Sequence, residues 1–86
     1  MAALIRFDRA YFVTAKHVPA SIRTKLQETI ESIAADHPSL PGEHDVRVEL
    51  LPTLVVWHRR SVTGTAWCVH FTWTADSVLI RSVVIP

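Results

Sequence analysis

Hydrophobic positions along this chain change period after residue 37. Ala3-Leu4-Ile5-Arg6-Phe7 reads as a short first strand, and Asp8 supplies an N-cap for a helix reaching about His17. Tyr11, Ala15 and Val18 recur at i, i+4 and i+7, with Phe12 and Val13 widening the stripe. A second helix is predicted over residues 19–36. Pro19 suits its first turn, with Ser21 as an alternative cap. Ile22, Leu26, Ile30 and Ile33 form its apolar face, and Arg23, Lys25, Gln27, Glu28 and Glu31 lie on or beside the opposite one. His37-Pro38 ends it, because a residue before proline avoids helical angles.

Beyond residue 37 the period falls to two. Residues 38–45, PSLPGEHD, have loop composition. Val46 to Leu50 alternates strictly, as a half-exposed strand does, and Pro52 interrupts it. Three strands follow as an antiparallel meander: Leu54–Arg60, Ala66–Thr74 and Ser77–Ile85, with reversals at Val62–Thr65 and Ala75-Asp76. In the middle strand Trp67, Val69, Phe71 and Trp73 share one face, while Ala66, Cys68, His70 and Thr72 share the other. The bulky face holds most of the large apolar area, so the helices are expected to cover it.

Composition narrows the class. Eighty-six residues make a single domain, residues 1–86. A hydrophobic fraction of 49% against 20% charged residues excludes a disordered chain and leaves apolar surface for a partner. Net charge is +1, less than a dedicated nucleic-acid binder carries. The single cysteine, Cys68, cannot form an intramolecular disulfide, which fits a reducing cytoplasm. The N-terminus is not a signal peptide, and no apolar run approaches the ~20 residues of a membrane span, so a cytoplasmic location is expected. No His-x-x-x-His or Cys-x-x-Cys spacing occurs, and neither a metal nor another cofactor is expected.

His58 and His70 are the candidate catalytic pair. If the register sets them together on the open sheet face, they can serve as general acid and base. Arg60 and Arg81 are then candidates for holding a phosphate. Trp57 is a candidate for stacking on a base, whereas Trp67 and Trp73 belong to the core face. The plain alternative is that the histidines are ordinary, partly buried sheet residues.

Residues 7–38, FDRAYFVTAKHVPASIRTKLQETIESIAADHP, resemble the helical hairpin of RelE/ParE toxins: a short helix, a proline joint, an amphipathic helix and an Asp-x-Pro ending. Residues 54–85 are similar to that family's sheet, with CVHFTW, ADS and VLIRSVVI spaced like its last hairpin. The resemblance implies an α+β fold, β-α-α-β-β-β, with the hairpin on one face of an antiparallel sheet. It implies the toxin of a bacterial type II toxin–antitoxin module, neutralised by a cognate antitoxin. RelE-type members cleave messenger RNA in the ribosome, and ParE-type members bind DNA gyrase without hydrolysis. The oligomer, homodimer or hetero-oligomer, is left open.

The chain departs from the ribonuclease pattern in three places. The strand LVVWHRR offers Arg59 and Arg60, near its end, where lysines are common. Cys68 stands roughly where a basic residue enters the next strand. The basic and aromatic segment that usually follows the last strand has no counterpart before Pro86. Arg59, Arg60, Arg81 and Trp57 are therefore the candidates for contact with a nucleic acid or other target. Enzyme activity stays open between a metal-free endoribonuclease using His58 and His70 and a non-catalytic binding protein of the same fold.

Overall fold

One residue separates the first strand from the first helix. Asp8 keeps extended backbone angles, and its carboxylate accepts a hydrogen bond from the Ala10 amide at 3.0 Å, capping the helix that follows. The computed structural model describes residues 3–60 and 67–84. The elements are β1 (Leu4–Phe7), α1 (Arg9–Ala15), α2 (Ala20–Asp36), β2 (Asp45–Leu51), β3 (Leu54–Arg60), β4 (Cys68–Trp73) and β5 (Ser77–Val84). Pro19 sits at the N-cap of α2 without a side-chain cap bond, and His37, ahead of Pro38, turns extended to end the helix. The expected reversal at Val62–Thr65 lies outside the described residues, as do Ala66 and Ile85 at the ends of the expected strands.

The strands form one sheet in the order β1-β5-β4-β3-β2. The expectation of a wholly antiparallel sheet needs one correction, because β1 runs parallel to β5. The helices carry the chain from β1 to β2 at the opposite edge, and β2, β3 and β4 return it to β5, a connection long enough for parallel neighbours. Among the described residues there are also five strands rather than the four in the family pattern; the extra one is β2, whose alternation is already plain in the sequence.

The core lies between the sheet and α2. Leu26, Ile30, Ile33 and Ala34 of α2 are buried with Trp67 and with Val69, Phe71, Val78, Ile80 and Val83 of the sheet. Ile22 packs against this cluster from the partly exposed first turn. Helix α1 buries less than its sequence suggests. Val18, just past it, is buried and Tyr11 is half-buried, but Phe12 and Val13 remain 57% and 56% exposed. With seven residues the helix is barely two turns long, and it lies on β5 by one narrow side. Thr14 tethers that side: its hydroxyl accepts the Val83 amide at 3.0 Å, beyond the point where β1 stops pairing.

The loop from α2 to β2 is fixed by charge. Arg59, on β3, donates to both Asp45 oxygens at 2.7 and 2.8 Å and to Asp36, at the end of α2, at 2.7 Å. The Asp45 side chain is fully buried, and its carboxylate also accepts the Gly42 amide at 2.6 Å. Gly42 is required by this close approach, since a Cβ there would lie 2.9 Å from an Arg59 nitrogen. His37 makes a 2.7 Å hydrogen bond to the Thr74 carbonyl and clips the same end of α2 to the β4–β5 turn.

Candidate functional site

Strand pairing brings the two candidate histidines together. His58 of β3 stands directly across from His70 of β4, on the face away from the helices. Their rings lie nearly parallel, 13° apart in plane and 5.8 Å between centroids. The Nδ1 atom of His70 shares a 3.3 Å hydrogen bond with the hydroxyl of Ser82 on β5. Burial pushes the His70 pKa below that of an ordinary imidazole, and repulsion from a charged His58 adds to the shift. One ring of the pair is thus biased to the neutral form, an arrangement suited to one proton acceptor beside one donor.

Arg59 and Arg81 are each engaged away from this pair. Period-two alternation sends Arg59 to the helix-covered face with Trp57, where it is 8% exposed and committed to Asp45 and Asp36. Arg59, one of the candidates for contact with a target, is thus engaged by two carboxylates within the fold. Arg60 occupies the register position across from Cys68, two residues along β3 from His58. Arg81 is the extra residue of a bulge in β5, where Ile80 and Ser82 pair with Phe71 and His70 in turn. Its guanidinium lies 4.0 Å from the Asp8 carboxylate at the start of α1. Trp57 is half-buried at the core margin, with its ring 5.9 Å from that of Trp73. Cys68, partly exposed, lies across from Arg60 on one side and Val84 on the other. Among the described residues no three potential ligands from His, Cys, Asp and Glu converge on a metal position. No described helix is long and apolar enough to cross a membrane.

A concave feature lies on the helical side. A groove of about 660 Å³ runs between β1, α1 and α2, floored by Ile5, Leu26 and Ile30. Phe7, Tyr11 and Phe12 form its aromatic wall, with centroid separations of 4.7, 5.5 and 5.9 Å within the trio. Lys16, Arg23, Gln27 and Glu31 rim it. Burial raises the Tyr11 pKa, and nearby Arg23 partly offsets that. Sequence reasoning missed this groove. The available signal was the breadth of apolar positions on α1, which is too short a helix to bury them all.

No protein-family model matches the sequence, and no curated protein matches it. Solved structures match its fold, two of them antitoxin-toxin complexes. One is the RelB-RelE antitoxin-toxin complex from Methanococcus jannaschii, matched at 18% identity and TM-score 0.60 over 93% of this chain and 88% of that one. The other is the archaeal RelE-RelB complex from Pyrococcus horikoshii OT3, matched at 13% identity and TM-score 0.64 over 96% of this chain and 93% of that one. The chain has a RelE-like fold.

Proposed function

We propose that this protein is the toxin of a type II toxin–antitoxin module, acting in the cytoplasm and held inactive by a small cognate antitoxin. The observation that carries this reading is the coverage of the fold match: it spans nearly the whole of both chains, and both structures are antitoxin–toxin complexes. The exposed aromatic groove supports a protein partner, because Phe7 and Phe12 remain 42% and 57% exposed side by side on one wall. The test is expression in the host with and without any small open reading frame found adjacent to its gene. Growth arrest relieved by the neighbour, together with co-purification of the two, is the expected result. Harmless high-level expression of the single chain would remove the toxin reading.

Between the two modes of toxicity, binding to a target without hydrolysis fits better with Arg59 committed to Asp45 and Asp36 and Arg81 lying beside Asp8. The ribonuclease reading keeps one observation in its favour, the face-to-face pairing of His58 and His70. In that reading His70, biased to the neutral form, takes the proton of an RNA 2′-hydroxyl. The oxygen then attacks the adjacent phosphorus, His58 gives a proton to the departing 5′-oxygen, and a 2′,3′-cyclic phosphate remains. Cleavage assays with and without ribosomes, on wild type and on His58→Ala, His70→Ala and the double variant, separate the readings. Loss of one such group should slow cleavage about 10²–10⁴-fold. Absence of cleavage by wild type, with inhibition of gyrase in a supercoiling assay, supports the binding mode.

A further inference from the structure

Strand β2 is an outer strand of the sheet, paired on one side only. Outer strands are commonly protected by lysine, proline or inward-pointing charge. β2 carries neither lysine nor proline; its inward charge, Asp45, stands at its first residue and its register shift near its far end, and Val46, Leu50 and Leu51 are 52%, 48% and 59% exposed. Its pairing with β3 is regular from Asp45 to Glu49, and the register shift comes only after Glu49.

The sequence of this strand is complementary to itself. Laid antiparallel on a second copy about Val48, it sets Arg47 opposite Glu49 of the second copy, and Glu49 opposite its Arg47. On the other face Val48 meets its own equivalent and Val46 meets Leu50, which lies within the register shift, while the outermost pair sets Asp45 against Leu51. Neighbouring registers lack this match. Centring on Arg47 opposes two arginines and sets Asp45 against Glu49, while centring on Glu49 opposes two glutamates. A shift of half a step sets charged against apolar positions. The Arg47 and Glu49 side chains are 52% and 61% exposed and already paired within one chain, so a second copy extends that pair into four alternating charges.

The geometry points to a two-fold homodimer through β2, joining two five-stranded sheets into one continuous sheet. This is independent of the toxin reading. The contact is essentially one strand pair, less than the ~1,200–2,000 Å² of a standard stable interface, so the dimer is reversible and concentration-dependent.

Sedimentation equilibrium on the free chain, made by cell-free synthesis, tests it. The apparent mass should rise with concentration from 9.7 kDa towards twice that value. Glu49→Arg and Arg47→Glu should each remain monomeric with an unchanged circular dichroism spectrum, since both sites are on the surface. Mixing the two variants should form a heterodimer, because every facing pair is then opposite in sign. The double exchange, Arg47→Glu with Glu49→Arg, should restore the homodimer. A wild type that stays monomeric, single variants that dimerise as well as wild type, or a mixture that fails to pair would each overturn the proposal.

Discussion

Arg59 and Asp45 form a two-pronged ion pair, 2.7 and 2.8 Å, between β3 and the first residue of β2. The carboxylate is fully buried and the guanidinium side chain 10% exposed, so each depends on the other. Asp45→Ala should destabilise the fold by about 3 kcal/mol, the lower end for breaking a buried pair, because Asp36 still holds one arm of Arg59. Chemical denaturation measures this. A loss under about 1 kcal/mol, the scale of a surface pair, would mean that the pair contributes no more than an exposed one.

Gly42→Ala should also destabilise, by about 1–3 kcal/mol, as inserted methyl groups do in tight packing. The added Cβ would lie 2.9 Å from an Arg59 nitrogen and 3.1 Å from an Asp45 oxygen, and neither group is free to retreat. In an Arg59→Ala background the cost should shrink, since the nearer obstacle is gone. A double-mutant cycle reads that coupling, and strict additivity would contradict it.

His70 gives stability a pH dependence of definite sign. Its folded pKa is depressed, so its contribution is complete above the unfolded histidine value of about 6.5. It is lost as pH falls from there through the lower folded value, because the unfolded chain binds the proton first. NMR titration should show His70 protonating below ordinary histidine. His58→Ala should move it back upward, though not fully, since burial is the larger cause. Titration of His70 at or above the ordinary value would contradict this account.

Leu26→Ala should cost about 2–5 kcal/mol, the range for emptying a buried leucine site. Leu26 is 4% exposed and belongs to the cluster joining α2 to β4 and β5. A shift in denaturation midpoint without a change in slope is expected.

Phe12→Asp tests the helical groove. Phe12 is 57% exposed, so the isolated domain should keep its thermal midpoint within the scatter of a surface substitution. On the toxin reading, protection by the antitoxin should weaken, because a charge then sits in the aromatic wall. Undiminished protection would place the partner elsewhere.

Much of this architecture is legible in the chain because its two periods are cleanly separated. The stripe from Ile22 to Ile33 defines α2, and the alternation through CVHFTW defines β4 and its buried face. The His58–His70 pairing is a register effect, and sequence supplies only the condition under which it occurs. Arg59 was legible in principle: alternation through LVVWHRR already separates it from Arg60. Its partners Asp36 and Asp45 are set by the path of the loop, which periodicity does not encode. The direction of β1 beside β5 is hidden for the same reason, since four residues carry no mark of which neighbour they choose.

That choice of neighbour also sets the order of events during synthesis. β1 joins residues 4–7 to residues 77–80, so the first strand made must wait for the last before its backbone is paired. Long-range closures of this kind slow folding relative to local hairpins. The hydrogen bond between His70 and Ser82 depends on the same late strand. A ribosome-bound chain that has emerged only through β4 therefore holds both histidines without the element that orients one of them, and the candidate site matures only once β5 has docked.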